Sequence, residues 1–286
     1  MQQTPNLLST SDHSRDKVGL TYVYPVVSRR AGGVSVGINL NPNNACNWRC
    51  VYCQVPNLKR GTAPSINLIQ LETELRGFLH ELVNGSFMQE QVPLEARQIH
   101  DIALSGNGEP TSAKEFEQVI TLIGHVKKDF DLPKTLKLVL ITNGSLINRQ
   151  SVQAGLKHMA KLNGEIWFKF DRALADERQR INNTQISLKQ IRNHLALATS
   201  YCPTWLQTCV FQINGEPPTE QEITAYIAFV SSLLQAGITL QGVLLYGLAR
   251  ASMQPEATIL TKVNEEWILS FSAKIRALGL NVKLNP

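Results

Sequence analysis

The sequence has no long apolar run and no secretory signal, and these absences argue against membrane-spanning and exported proteins. None of its apolar runs reaches the roughly 18 residues that a transmembrane helix needs. The first 20 residues are polar and mixed in charge, without the apolar segment of about 7 to 15 residues that a signal peptide carries. We therefore expect a cytoplasmic protein that has no membrane partner.

Blocks of basic residues are also missing. The 28 Lys and Arg residues exceed the 23 Asp and Glu residues, which gives a formal charge of +5. Because the basic residues are dispersed along the chain, the excess positive charge favours a solvated surface over a binding site for a phosphate-rich partner. With 43% hydrophobic and 18% charged residues, the 286-residue chain has the composition of a globular protein.

Short apolar segments alternate with longer amphipathic ones, which predicts six βα units in a parallel sheet. The predicted strands are 34–40, 100–105, 136–142, 165–171, 205–213 and 241–246, and the predicted helices are 68–83, 113–129, 148–161, 187–200, 219–235 and 264–278. Periodicity alone leaves two architectures open, an open doubly wound sheet and a curved partial barrel. Residues 1–20 are predicted to be a flexible N-terminal segment and residues 21–286 a single domain.

Three of the five cysteines lie within eight residues, in a loop after the first predicted strand. Cys46, Cys50 and Cys53 form a CxxxCxxC pattern, which in a reducing compartment indicates metal or redox chemistry. Three thiolates without a nearby fourth would hold a four-iron cluster with one iron open to a ligand. The alternatives are a zinc site, which usually needs four Cys or His ligands, and three unrelated buried cysteines.

These three cysteines, with Tyr52 before the last of them, resemble the cluster motif of the radical S-adenosylmethionine (SAM) enzymes. The resemblance implies a partial (βα)6 TIM-like barrel, with a curved parallel sheet and outer helices. It implies two cofactors, a [4Fe–4S] cluster and SAM, and an electron donor such as flavodoxin or ferredoxin. In this family the cluster cleaves SAM reductively, and the resulting 5′-deoxyadenosyl radical abstracts hydrogen from a substrate.

Further segments resemble the family's SAM-binding motifs in the family's order. The turn Gly106, Asn107, Gly108 and Glu109 after the second predicted strand resembles the motif that receives the SAM amino group, and glycine there allows close backbone approach. The remaining candidates follow later strands, where parallel sheets place their chemistry. They are Thr142 and Asn143 after the third strand, Lys169 and Asp171 at the end of the fourth, and Gln212 and Asn214 at the end of the fifth. For Lys169 and Asp171 the alternative is a plain Lys–Asp pair at the rim of the sheet.

A narrower resemblance points to the iron–sulfur oxidoreductases related to wybutosine-type tRNA modification enzymes. It rests on the segments 28–30, 35–42 and 50–54, and on Tyr246 and Arg250 after the sixth strand. That branch carries further N-terminal cysteines, whereas residues 1–45 here contain none. We hypothesise an RNA or another phosphate-bearing substrate. The alternative from another class is a non-catalytic zinc or iron–sulfur module that binds nucleic acid.

Overall fold

The computed structural model describes residues 19–28 and 32–285. Most of the predicted flexible segment, together with Arg29 and Arg30 of the narrower resemblance, therefore lies outside the described residues. The division of the chain into residues 1–20 and 21–286 stays a prediction.

The described residues alternate between strands and helices along most of their length. The strands are β1 (Val23–Ser28), β2 (Gly33–Ile38), β3 (Ala45–Cys46), β4 (Lys59–Arg60), β5 (Ile99–Leu104), β6 (Lys137–Thr142), β7 (Gly164–Lys169), β8 (Thr204–Cys209), β9 (Gln212–Ile213), β10 (Gly242–Tyr246), β11 (Leu260–Thr261) and β12 (Val282–Asn285). The helices are α1 (Leu68–Asn84), α2 (Phe87–Gln91), α3 (Phe116–Asp129), α4 (Gln150–Ala160), α5 (Ala175–Asn182), α6 (Leu188–Tyr201), α7 (Glu220–Gln235) and α8 (Glu265–Arg276).

Eight strands form the main sheet in the order β1-β2-β5-β6-β7-β8-β10-β12. All neighbours in it are parallel except β1 and β2, which are antiparallel. From β2 onward the spatial order follows the chain order, so each crossover moves the chain in the same direction. A doubly wound sheet would reverse this order at a switch point. The sheet instead curls into a half barrel, which confirms the partial barrel.

All six predicted strands and all six predicted helices are present, with boundaries that differ by a few residues. Thr219 and Glu222 form a capping box at the start of α7, and Ser187 and Gln190 form a second one at the start of α6. Two predicted strands end early. The segment 165–171 is extended only to Lys169, and the segment 205–213 divides into β8 and β9.

The hydrophobic core lies between the convex face of the sheet and the surrounding helices. Its fully buried members come alternately from strands and helices, for example Ile38, Leu104 and Phe168 from the sheet and Leu75 and Phe116 from helices. Across residues 19–28 and 32–285, every helix is too short or too polar to cross a bilayer.

Candidate active site

A cavity of about 790 Å³ lies on the concave face of the sheet and opens at the carboxyl ends of its strands. Most of the residues predicted to form the site line this one cavity: Cys46, Cys50, Cys53, Gly106, Asn107, Gly108, Glu109, Thr142, Asn143 and Lys169. Tyr246 and Arg250 also line it. The sheet therefore gathers residues that are up to 204 positions apart in the chain, from Cys46 to Arg250.

The cysteine loop is held at both ends by main-chain hydrogen bonds. At its start, β3 pairs with β4, and the amide of Gly61 donates to the carbonyl oxygen of Cys46 at 3.0 Å. In its middle, the Val51 amide donates to the Ile181 carbonyl oxygen at 2.8 Å. At its end, the Cys53 carbonyl oxygen accepts from the Met253 amide at 2.9 Å. These main-chain hydrogen bonds to neighbouring segments thus fix the positions of the three thiols.

A segment after β10 fastens the loop further, and sequence reasoning does not predict its role. The Ser252 hydroxyl donates to the Val51 carbonyl oxygen at 2.7 Å, and the Gln254 amide donates to the Val55 carbonyl oxygen at 3.0 Å. Arg49 forms a bidentate ion pair with Glu256, with distances of 2.9 and 2.6 Å. Ser and Gln bound to backbone carbonyls leave no residue pattern to detect.

The three thiols of the cysteine loop are half-buried at the cavity wall. Burial raises the pKa of Cys46 to about 12 and that of Cys50 to about 11, so both thiols need a bound cation to become thiolates. None of the five cysteines forms a disulfide. Within the described part of the chain, no three His, Cys, Asp or Glu side chains gather around a position for a single metal ion.

The glycines of the 106–109 turn let it pack directly against the cysteine loop. A Cβ atom on Gly108 would lie 2.0 Å from the Ala45 carbonyl oxygen. Gly106 has a φ of +152°, and a Cβ atom there would lie 2.4 Å from Oδ1 of Asn39. That oxygen accepts instead from the Asn107 amide at 3.0 Å. Both glycines are therefore needed for close backbone contact.

Glu109 joins this turn to the turn after β6. Its Oε1 accepts from the amide and hydroxyl of Thr111 at 3.1 and 2.6 Å and from the Thr142 hydroxyl at 2.6 Å. Its Oε2 accepts from the Asn143 amide at 2.7 Å. Burial raises the pKa of Glu109, and these four hydrogen bonds oppose that shift. The carboxylate is thus engaged within the protein, and the turn's backbone and Asn107 are the groups with capacity for a ligand.

Asn143 and Asn107 connect the two turns to the cysteine loop. The Asn143 side chain donates to Oδ1 of Asn47 at 2.8 Å, and the Asn107 side chain donates to Oδ1 of Asn44 at 2.5 Å. Oδ1 of Asn107 is buried and accepts no hydrogen bond from the residues that the structure describes. This acceptor without a partner could accept a hydrogen bond from the ammonium group of SAM.

Lys169 and Asp171 meet at the hydroxyl of Tyr52. Lys169 Nζ donates to this hydroxyl at 2.9 Å, and the hydroxyl donates to Oδ2 of Asp171. Lys169 lines the cavity, whereas Asp171 is buried behind it and accepts from the Cys209 amide at 2.9 Å. Burial opposes the charge of Lys169, but Tyr246, Asp171 and Cys50 raise its pKa well above the ordinary value. Lys169 is therefore a cation at the cavity wall.

Gln212 and Asn214 lie away from the cavity lining. The strand before them ends at Cys209, and Gln212 belongs to β9, which pairs with β11. Its Oε1 accepts from the Thr261 hydroxyl at 2.9 Å. Gln207, two residues before the end of β8, lines the cavity instead and is 3% exposed.

Solved structures with the same architecture cover most of this chain. SuiB of Streptococcus suis bound to the precursor peptide SuiA aligns with a TM-score of 0.58 and 11% identity, over 89% of this chain and 49% of SuiB. TYW1 with a lysine–pyruvate adduct aligns at 0.56 and 13%, over 85% and 73%. A radical SAM methyltransferase from Sphaerobacter thermophilus aligns at 0.53 and 13%, over 88% and 66%. The chain has the radical SAM fold.

Curated relatives are similar over shorter segments. UPF0026 protein slr1464 of Synechocystis is 30% identical over 172 residues, which are 59% of this chain and 56% of that protein. The GTPase Obg of Brachyspira hyodysenteriae is 30% identical over 151 residues, which are 52% of this chain and 19% of that protein. The chain thus spans about half or less of the length of these relatives. No family model matches the sequence.

Proposed function

We propose that the chain is a radical SAM enzyme that holds a [4Fe–4S] cluster on Cys46, Cys50 and Cys53. One observation carries this proposal: the three thiols, the 106–109 turn and the 142–143 turn line a single cavity within a radical SAM fold. Three cysteine ligands leave one iron of a cubane without a protein ligand, which is the position that SAM takes in this family.

When bound, the cluster supplies the electron that cleaves SAM to methionine and a 5′-deoxyadenosyl radical, which abstracts hydrogen from the substrate. The protein binds, orients and shields these groups. Oδ1 of Asn107 would accept from the SAM ammonium group, and the Lys169 ammonium group would bind the SAM carboxylate. The 106–109 turn presents its backbone at the cavity, and Glu109 holds that turn against the next one.

The rival proposal is a non-catalytic module that binds zinc or a closed cluster and nucleic acid. Such a module needs no large cavity beside its metal ligands. It also needs no braced pair of turns facing the cysteines, as Glu109 provides here. The cavity and the braced turns therefore support the enzyme.

Anaerobic reconstitution with iron and sulfide tests the proposal directly. We expect about four irons per chain and, after reduction with dithionite in the presence of SAM, slow release of 5′-deoxyadenosine even without substrate. Quenched reactions are separated by chromatography to quantify the product. The matched control is Cys202→Ala, which removes a buried cysteine of the α6–β8 connection and leaves the loop untouched.

Cys50→Ala is the decisive variant, because it removes one cluster ligand and leaves the core between sheet and helices intact. We expect it to lose the cluster and product formation, while Cys202→Ala keeps both. A wild-type protein that takes up stoichiometric zinc and no iron would contradict the proposal. So would deoxyadenosine formation at the same rate in the Cys50→Ala protein.

For the substrate we propose an RNA or another phosphate-bearing molecule at the mouth of the cavity. Support comes from the charge of +5 and from Arg250, which lines the cavity beside the cysteine loop. We also propose that a flavodoxin or ferredoxin supplies the electron. Lys59 and Arg60 support this, because they are exposed on β4, the strand paired with the cysteine loop.

A further inference from the structure

The end of α5 lies directly against the cysteine loop. The Asn182 carbonyl oxygen accepts from the Arg49 amide at 3.2 Å, and the Ile181 carbonyl oxygen accepts from the Val51 amide at 2.8 Å. These two bonds flank Cys50 in the chain. The last turn of the helix is thus fastened to the segment that carries the middle cysteine.

The Asn182 side chain reaches the sulfur of that cysteine. It is 2% exposed, and its Nδ2 lies 3.3 Å from Sγ of Cys50 and 2.7 Å from Oδ2 of Asp171. An amide nitrogen carries two hydrogens, and these two contacts use both of them.

Asp171 determines which way the amide faces. An ionised carboxylate only accepts hydrogen bonds, so the opposite orientation would place two oxygens in contact at 2.7 Å. The Asp171 carboxyl group is itself fixed by the Tyr52 hydroxyl and the Cys209 amide. The nitrogen of Asn182 therefore faces both Asp171 and the Cys50 sulfur.

We propose that Asn182 donates a hydrogen bond to the Cys50 sulfur of the cluster and thereby raises the cluster's reduction potential, with Asp171 positioning the amide. This inference rests on the proposed function, since it needs a cluster on Cys50. Reduction adds one electron from the external donor, and part of the added negative charge resides on the cysteine sulfurs. An N–H donor stabilises that charge, so it favours the reduced state.

Asn182 is a side-chain donor to a cluster sulfur and is therefore open to substitution. The Cys46 sulfur, in contrast, accepts a hydrogen bond from the backbone amide of Trp48 at 3.5 Å. Substituting the Trp48 side chain would not remove that donor. Asn182→Leu keeps most of the side-chain volume and removes the donor. Gln179→Leu is the matched control, because Gln179 is exposed one turn earlier on the same helix.

The test is a redox titration of the reconstituted proteins, followed by the spectrum of the reduced cluster. We expect equal iron content in the three proteins, a more negative midpoint potential for Asn182→Leu, and the wild-type potential for Gln179→Leu. We also expect exchange into deuterated water to couple deuterons to the wild-type cluster. The coupling from the Asn182 amide should disappear in Asn182→Leu, and the coupling from the Trp48 amide should remain.

Asn182→Ala serves as a second variant that places no branched side chain against Asp171. Loaded Asn182 variants with the wild-type potential would overturn this inference and leave the proposed function standing. If neither variant holds a cluster while Gln179→Leu does, Asn182 only holds the loop in place, and the tuning role is wrong. A wild-type protein without iron would instead overturn the proposed function.

Discussion

The carboxylate of Glu109 offers a direct test of what holds the two ligand-facing turns together. Glu109→Gln keeps the side chain's shape and replaces one acceptor oxygen with an NH2 group. If this group takes the place of Oε2, it faces the Asn143 amide, and if it takes the place of Oε1, it faces three donors. The better orientation loses one hydrogen bond and leaves two buried N–H groups facing each other.

The cost follows from that count. A hydrogen bond to a charged group contributes about 1.5 to 3 kcal/mol, and a buried donor without a partner costs a similar amount. We therefore expect Glu109→Gln to lower the free energy of unfolding by about 2 to 3 kcal/mol. With a urea m-value of about 3 kcal/mol/M, the midpoint would fall by about 0.7 to 1 M. Thr111→Val, which removes one hydroxyl donor to the same carboxylate, should lower the stability by about 1 kcal/mol.

Urea unfolding of the metal-free proteins, followed by circular dichroism, measures these differences without any cofactor. The sequence motif alone predicts another role, in which Glu109 accepts directly from the SAM ammonium group. That role predicts weaker SAM binding by Glu109→Gln with unchanged unfolding. A midpoint for Glu109→Gln equal to that of the wild type would refute the bracing argument.

Three further predictions concern other parts of the protein. Gly108→Ala should lose its cluster to a chelator faster than the wild type, because the new Cβ atom would lie 2.0 Å from the Ala45 carbonyl oxygen. The control is Gly77→Ala, in open space on α1. It should retain the cluster and raise the free energy of unfolding by about 0.5 to 1 kcal/mol. Burial lowers the pKa of His194, so the unfolded chain binds its proton first, and the free energy of unfolding should fall as the pH drops below about 6.5. Urea titrations should show a smaller fall in His194→Gln. Labelled tRNA should bind with a log–log salt slope near −0.7 per phosphate contact and more weakly to Arg250→Ala; undetectable binding at low salt would favour a peptide or small-molecule substrate.

The regular part of the fold could be predicted because its periodicity is strong. Strands such as β2 and β6 are short apolar runs, and helices such as α3 and α7 carry one apolar face. Among the elements that were not predicted, two show the physical reasons. β1 contains Pro25 and is an edge strand, where the missing amide is tolerated. α5 is almost entirely polar, so its contacts with the cysteine loop, rather than an apolar stripe, hold it in place.

The site residues likewise divide into those that the sequence predicts and those that it does not. The three closely spaced cysteines and the glycines of the 106–109 turn could be predicted from the sequence, because these residue types form recognisable motifs directly after predicted strands. Ser252, Gln254 and Asn182 are common polar residues whose partners are main-chain carbonyls or a distant sulfur. Such contacts depend on how remote segments meet, which no local pattern records.

Asp171 shows how a small error in a strand boundary changes the role assigned to a residue. Alternation along a strand through residue 171 would place Asp171 beside Lys169 on the cavity face. β7 ends at Lys169, however, so the alternation stops there and the next residues turn behind the cavity wall. Asp171 thereby comes within reach of Tyr52 in the cysteine loop and of Asn182 in the helix that holds this loop. Its charge faces the protein groups behind the Cys50 sulfur, which accounts for a buried carboxylate at a position where SAM contact was expected.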